Sequence, residues 1–154
     1  DAFAFFLPVV MLFQRAGCLS AGCCFGLPYH GIGSIQYSGF SFIRDYQIKN
    51  GWIPYNQLTT MHVHAIPVYL MLISILTIAL LFWVRKKLRQ HGSLFLFGLV
   101  CMGIGRFVVE FFRDPITNHS MGDVYLGLKF VQWFTLIFIV LGSFLFWWNE
   151  FKAN

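Results

Sequence analysis

The chain carries very little charge for its length. Only 11% of its 154 residues are Asp, Glu, Lys or Arg, whereas 58% are hydrophobic and 19% are aromatic. Soluble domains carry about 25% charged residues, because their surface must interact with water. The shortage of charge and the mean hydropathy of +0.68 exclude an ordinary soluble domain. They indicate that much of the surface faces lipid.

Features typical of several other protein classes are also missing. The net charge of +5 does not come from an interleaved patch of basic and aromatic residues, so nucleic-acid binding is not predicted. No alternating ten-residue pattern suggests a membrane β-barrel. The sequence contains no internal repeat and no low-complexity tract. Its first residues lack the basic region and small-residue cleavage site of a signal peptide.

Three long apolar runs occupy most of the remaining chain. They cover residues 64–84, 93–112 and 126–148, and each is close to the roughly 20 residues that a helix needs to cross the hydrocarbon core. The runs therefore predict transmembrane helices. A shorter run, 2–13, either continues as a helix to about Cys24 or is the end of a longer span. Because Asp1 stands at the mouth of an apolar run, we expect part of the natural protein to precede it.

Basic residues predict the orientation of these helices. The connection 85–92 contains four Lys or Arg, and such loops stay in the cytoplasm. The polar, turn-rich segment 27–63 then lies outside, with short strands or an irregular arm predicted at 32–43 and 52–58, and the C-terminus lies inside. The predicted fold is an all-α integral membrane protein with about four transmembrane helices and a small irregular or β outer arm. Residues 1–154 are predicted to form a single membrane domain.

The span 93–112 contains unusual charges near its end. Arg106, Glu110 and Arg113 are spaced i, i+4 and i+7, which places them within about 60° of one another on a helix. Charges within a span are costly unless they are paired or hydrated, and they commonly mark function. The three residues either form a buried ion pair that holds helices together or line a polar cavity that binds an anion.

Arg15 also stands near the outer end of its helix in this topology, at a depth similar to that of Arg106. Arginine binds phosphate in a planar, bidentate manner, and phospholipid headgroups are the anions available in the outer leaflet. A surface role, with the side chain extended to the interface, is the alternative for Arg15 alone. Convergence with Arg106 favours phosphate binding.

Three of the four cysteines follow Arg15 in the segment QRAGCLSAGCCFG. The C-x4-CC spacing of Cys18, Cys23 and Cys24 is not that of a zinc motif. We therefore predict small packing residues, no metal and no cofactor. A mixed site with His62 and His64 and a disulfide are the alternatives.

Two motifs resemble the prolipoprotein diacylglyceryl transferase family. The first is R-x-G-x4-G-x3-G at 15–26, and the second is G-x-x-R-F-x-x-E-F-F-R-x-P at 103–115. Further similarity lies at Asp1, at His64 and Tyr69, and at Gln132 and Gly142. The resemblance implies that the chain is the C-terminal part of a larger seven-span fold in the bacterial inner membrane, with its active face toward the periplasm.

The family resemblance also implies an activity. Members transfer the diacylglyceryl group of phosphatidylglycerol to the lipobox cysteine thiol of prolipoproteins, the first step of lipoprotein maturation. The expected partners are phosphatidylglycerol, the prolipoprotein lipobox and membrane lipid. The residues implied as catalytic are Arg15, Arg106 and Glu110. Those implied to bind substrate are Asp1, Gly17, Cys18, Gly26, His64, Tyr69, Gly103, Arg113 and Gln132.

The sequence departs from the family pattern in several places. Cys18 and Cys23 stand where an asparagine and a glutamate are usual, and Leu70 replaces a glutamate after Tyr69. The family's H-G-G segment, with its presumed catalytic histidine, precedes the region covered here, so this part alone is expected to be inactive. His30 and His119 are then candidates for the base. A membrane paralogue that binds phospholipid or partner proteins without catalysis is the alternative function.

Overall fold

A computed structural model describes residues 2–88, 90–113 and 124–151 of the chain. The main helices are α1 (Ala2–Ala21), α2 (Phe42–Lys49), α3 (Ile66–Val84), α4 (Ser93–Val109) and α5 (Phe130–Phe151). A 3₁₀ turn, Glu110–Phe112, extends α4. Two short antiparallel pairs complete the fold, β1 (Ser34–Ile35) with β2 (Val63–His64) and β3 (Val124–Tyr125) with β4 (Leu128–Lys129).

Four of these helices are long and apolar enough to cross a membrane, which confirms the predicted fold class. They are α1, α3, α4 with its 3₁₀ extension, and α5. Helix α4 packs against α1, α3 and α5, and α1 also packs on α3. The outward faces carry exposed apolar side chains along the helices, including Phe6, Leu76 and Phe138. Such faces are stable in lipid and would be unfavourable in water.

The boundaries of the first and last helices differ from the sequence prediction. Helix α1 continues through Arg15 but ends at Ala21, three residues before Cys24. Helix α5 begins at Phe130 rather than 126, because Leu126 and Gly127 have positive φ values of 51° and 81° and turn the chain between β3 and β4. Positive φ at both central residues is typical of a tight hairpin turn.

The arm between α1 and α3 contains more helix than predicted. Only Ser34–Ile35 forms a strand within 32–43, and no strand occurs in 52–58. Instead, Ser41 caps α2 by accepting a hydrogen bond from the Arg44 backbone N–H, as serine commonly does at helix starts. The buried Arg44 side chain then donates to the carbonyls of Gln57 and Tyr55 at 3.0 and 2.8 Å. These bonds hold the arm together.

The basic connection and the arm lie at opposite ends of the helix group. Ala4, Leu81 and Leu94 pack together at the end that carries the α3–α4 connection. A second apolar cluster, Ile66, Leu70 and Val109, lies at the other end, beneath the arm. The functional candidates identified above fall mainly at this second end.

Candidate functional site at the α4–α5 junction

Glu110 is the centre of a buried charge cluster. Its side chain is 1% exposed and receives Arg106 from one turn earlier, with 3.1 Å between Nη2 and Oε2. Arg113 Nη1 lies 3.6 Å from the same oxygen, and Lys129 Nζ lies 3.9 Å from Oε1. One carboxylate therefore faces three cations. The described part of the cluster has an excess of positive charge in a span that is otherwise apolar.

Arg113 reaches Glu110 by a route that differs from the predicted helix face. The α-helix ends at Val109, and Arg113 follows the 3₁₀ turn with an extended backbone, φ −88° and ψ 136°. Its backbone forms a β-bridge with Gly26, and the Leu27 N–H donates to the Phe112 carbonyl at 3.0 Å. The arm thus clamps the chain just after Glu110. Helix periodicity predicted that Arg113 lies near Glu110. In the structure, the backbone contacts of the arm with Phe112 and Arg113 hold it there.

Lys129 is a member of the cluster that sequence reasoning missed. Its ammonium donates to the carbonyls of Glu110 and Arg113 at 2.7 and 2.6 Å. The Gln132 side chain accepts the Lys129 backbone N–H at 2.9 Å, which is one half of a capping box at the start of α5. A lysine near the end of an apolar run commonly extends to the interface, so the position of Lys129 within 126–148 did not indicate that it joins a charge cluster. The K-x-x-Q spacing was the available cue.

Arg15 and Arg106 meet at a small cavity of about 40 Å³ between α1, α3 and α4. This volume has room for about one water molecule. Arg106 Nη1, Arg15 Nε and Gln132 Nε2 are buried and have no hydrogen-bond partner among the described residues. Buried polar donors normally have partners. The unpaired donors of the two arginines, which both line this cavity, therefore indicate a place for an acceptor.

Gly26 permits the close contact between the arm and the charge cluster. A Cβ at this position would collide with the Phe112 carbonyl oxygen and with the His64 side chain. The glycine therefore lets two backbone segments approach each other where Glu110 and Arg113 are held. Its role is structural support of the site.

His64 and Tyr69 form a hydrogen-bonded pair beside this clamp. The Tyr69 hydroxyl donates to the Gly33 carbonyl at 3.0 Å, so His64 Nδ1, 3.1 Å from the same hydroxyl, must be the donor of their shared bond. The neutral ring then keeps Nε2 as an acceptor. Burial lowers the pKa of His64, which keeps the imidazole neutral at pH 7. Its ring also packs on Phe112, 5.2 Å between centroids.

The cysteines of the α1 terminus lie close together as free thiols. The sulfur atoms of Cys18, Cys23 and Cys24 are all within 4.8 Å of one another. Arg15 Nη1 lies 4.0 and 3.8 Å from the sulfurs of Cys18 and Cys24. Burial raises the pKa of the Cys23 thiol to about 12, so this thiol is protonated and is a poor nucleophile.

Other candidate residues lie away from the cluster. Gly17 is exposed on α1 with open space beside it, and a Cβ at Gly103 would contact Ile139 in the α4–α5 seam. His30 is exposed on the arm, with its ring 5.1 Å from that of His62. Asp1 and His119 lie outside the described residues.

Comparison with known proteins identifies the family of this chain. The sequence profile of the prolipoprotein diacylglyceryl transferase family matches residues 1–148. The chain belongs to this family. It is 30% identical over 143 residues to the phosphatidylglycerol–prolipoprotein diacylglyceryl transferase of Clostridium tetani, covering 92% of this chain and 49% of that protein.

Two further relatives of the same name match shorter regions. The Idiomarina loihiensis transferase is 38% identical over 72 residues, which is 47% of this chain and 26% of that protein. The transferase of a Polaromonas species is 35% identical over 91 residues, 58% of this chain and 32% of that protein. No solved structure gives a significant match.

The diacylglyceryl transferase family and the four apolar helices together indicate a multi-pass protein of the bacterial inner membrane. The chain spans about half the length of the C. tetani relative. The two family motifs contribute Arg15, Arg106, Glu110 and Arg113. These residues lie at one end of the helix group, and Lys129 lies there too.

Proposed function

We propose that the protein transfers the diacylglyceryl group of phosphatidylglycerol to the lipobox cysteine thiol of a prolipoprotein. The observation that carries this proposal is the pair of buried donors without a hydrogen-bond partner among the described residues, Arg15 Nε and Arg106 Nη1, where the two arginines line one cavity. These donors suit an anion, and the phosphodiester of the lipid supplies one. The names of the relatives supply the reaction.

The chemistry needs positive charge where the leaving group forms. The substrate thiolate attacks the glyceryl carbon of the lipid, a C–S bond forms, and the C–O bond to the phosphate breaks. Glycerol phosphate leaves with both electrons of that bond. Fixed cations facing the departing oxygen lower the barrier, because they are already oriented before charge develops. Arg106 and Arg15 fill this role.

Glu110 and Lys129 position these cations. Glu110 holds the Arg106 guanidinium at 3.1 Å, which leaves Nη1 for the phosphate. Lys129 ties the end of the 3₁₀ turn to the start of α5 through the Glu110 and Arg113 carbonyls. Gln132 fixes the Lys129 backbone and offers Nε2 as a further donor. The proposed site therefore takes residues from α1, α4 and α5, and Lys129 joins the last two of these helices.

The substrate thiol must lose its proton, because a thiol of pKa about 8.5 is mostly protonated at neutral pH. Among the described residues, His64 is a candidate base, since its ring is neutral and its Nε2 is unprotonated. Gly17, Cys18, Gly26, Tyr69, Gly103 and Asp1 stay as proposed substrate-binding or supporting positions. Residues 1–154 are proposed to act as a single membrane domain within the longer family fold.

The full-length protein provides the direct test. Reconstituted with phosphatidylglycerol and a lipobox peptide, it should form a thioether product that mass spectrometry detects. Arg106→Ala should reduce the rate by about 100-fold or more, the usual loss when one donor to a developing oxyanion is removed. Arg106→Lys should recover little, because lysine cannot reproduce the planar guanidinium.

Arg85→Ala is the matched control, since Arg85 is exposed at the opposite end of α3 and contacts the Phe82 ring. We expect its rate to equal that of the unmodified protein. Undiminished product from Arg106→Ala would remove Arg106 from the mechanism. Phosphatidylglycerol binding without any product in the full-length protein would favour the non-catalytic paralogue.

A further inference from the structure

The three thiols that follow α1 are brought together by the way this helix ends. The Cys23 N–H donates to the Cys18 carbonyl at 3.1 Å, and the Gly22 N–H donates to the Leu19 carbonyl at 3.3 Å. With Gly22 at a φ of 63°, this is a Schellman ending, which folds the chain back over the last helical turn. Positions that are five and six residues apart in sequence therefore face Cys18.

Cys24 has an unusual backbone conformation that completes the cluster. Its φ is 58°, a left-handed value that non-glycine residues rarely adopt. Residues in such conformations are often held at functional sites. At Cys24 the conformation accompanies a side chain that points back to α1, with 3.9 Å between its sulfur and that of Cys18.

The distances fit one metal ion better than a disulfide. Thiolates bound to zinc at about 2.3 Å stand roughly 3.8–4.0 Å apart in tetrahedral or trigonal geometry. The Cys18–Cys24 separation of 3.9 Å has this value, and all three sulfurs lie within 4.8 Å. A disulfide would require about 2.05 Å between two sulfurs and would leave the third thiol unused. The sequence spacing alone, C-x4-CC, does not reveal this cluster.

We propose that Cys18, Cys23 and Cys24 bind a thiophilic metal ion with filled d orbitals, and that this ion is Zn²⁺. Binding releases the three thiol protons and forms three metal–sulfur bonds, so the complex of Zn²⁺ with three thiolates has one negative charge. The Arg15 guanidinium, 3.8–4.0 Å from two of the sulfurs, balances that charge. The complex of Cu⁺ with the same three thiolates would carry two negative charges, one more than the Arg15 guanidinium balances.

A fourth position is open for water or another small ligand. The three cysteines are only half-buried, so the site has access to solvent. The Tyr37 ring packs beside Gly22, and its hydroxyl is buried without a hydrogen-bond partner among the described residues. A metal-bound water would give this hydroxyl a partner. Three protein ligands with an open position are usual for accessible zinc sites.

Metal binding is tested on the reduced, metal-free, full-length protein in detergent, without any activity readout. Titration with Co²⁺ should produce a sulfur-to-cobalt charge-transfer band that saturates at one equivalent, and Zn²⁺ should then remove the band. Cys18→Ser, Cys23→Ser and Cys24→Ser should each lose it. The matched control is Cys101→Ser, because Cys101 lies on α4 outside the cluster, and it should keep the band.

Two further measurements extend the test, and the first of them does not depend on the folding of any variant. In the unmodified protein, Zn²⁺ should slow alkylation of Cys18, Cys23 and Cys24, as followed by peptide mass spectrometry. Arg15→Gln should keep the band but weaken Zn²⁺ binding about 10–100-fold, the usual loss for a residue that supports metal ligands.

The outcomes separate the two proposals. No charge-transfer band in the unmodified protein, or equal loss in Cys101→Ser, overturns the metal site. A competition assay in which Cu⁺ binds and Zn²⁺ does not would keep the site and overturn its assignment to zinc. Loss of transferase activity in a variant that still binds Zn²⁺ bears on the phosphate site alone.

Discussion

At the scale of single residues, Glu110 decides whether the cations of the site can be buried. Its carboxylate is 1% exposed and faces Arg106, Arg113 and Lys129. A buried charge pair is weak evidence for net stability, but removing one partner leaves an uncompensated charge in a low-dielectric site. Glu110 is therefore needed both for the fold and for the geometry of Arg106.

Glu110→Ala should lower the free energy of unfolding by about 3–5 kcal/mol, because it removes the buried carboxylate that pairs with Arg106 and faces Arg113 and Lys129. The measurement is thermal unfolding of the protein in detergent. Asp45→Ala is the matched control, since the Asp45 side chain is 71% exposed and lies 3.9 Å from Arg44. Exposed pairs contribute about 0–1 kcal/mol. Equal melting temperatures for the two variants would show that Glu110 is hydrated rather than buried.

At the scale of elements, the site depends on where helices stop. Helix α4 gives way to a 3₁₀ turn at Glu110, and α1 ends one residue before the left-handed Gly22. The arm then returns through Gly26, whose backbone bridges Arg113. The ending of α4 turns the chain so that Arg113 faces Glu110. The ending of α1 turns the chain so that the three thiols face Arg15.

Two alanine substitutions in the first motif should have different effects on stability. Gly26→Ala should destabilise the protein by about 1–3 kcal/mol, the usual cost of overpacking, because its Cβ meets the Phe112 carbonyl and His64. Gly17→Ala is the control and should be neutral or stabilising by up to about 1 kcal/mol, because Gly17 has open space beside it and alanine favours helix. Thermal unfolding of both variants makes the comparison. If Gly26→Ala unfolds at the same temperature as the unmodified protein, the arm can move to accommodate the methyl group without a loss of stability.

At the scale of the whole molecule, the helix group has two chemically different ends. The arm, the thiols and the charge cluster lie at one end. Arg85, Lys86 and Lys87 lie at the other, where Lys87 Nζ is 3.7 Å from the centre of the Trp83 ring. An excess of basic residues favours the cytoplasmic side. We therefore propose that the site opens toward the outer leaflet.

Cysteine labelling in intact cells tests this orientation. In a background with the native cysteines changed to serine, Ile32→Cys on the exposed arm should react with a membrane-impermeant maleimide added outside. Lys86→Cys should react only after the inner membrane is permeabilised. Ile32 is fully exposed and Lys86 is also exposed, so both reactions report access rather than burial. The reverse labelling pattern would invert the proposed topology.

Much of the architecture could be predicted from the sequence, because lipid imposes a simple rule on it. A run of about 20 apolar residues can satisfy its backbone in a membrane only as a helix, so the spans at 64–84 and 93–112 were predicted close to their observed limits. The arm was harder. Helix α2 is only eight residues long. Its Ser41 cap is a local signal, but the bonds of the buried Arg44 to the Gln57 and Tyr55 carbonyls are tertiary contacts.

By itself, the sequence determined that much of the protein surface faces lipid and that four apolar helices form, because both follow from composition. It also determined the i, i+4 pairing of Arg106 with Glu110, which follows from local periodicity. Only the tertiary structure decided that Lys129 joins that pair and that Arg15 shares a cavity with Arg106. The tertiary structure likewise decided that the sulfur atoms of Cys18, Cys23 and Cys24 lie close together. These contacts link positions on different helices or across a left-handed helix ending, and side-chain spacing along one helix does not encode such distances.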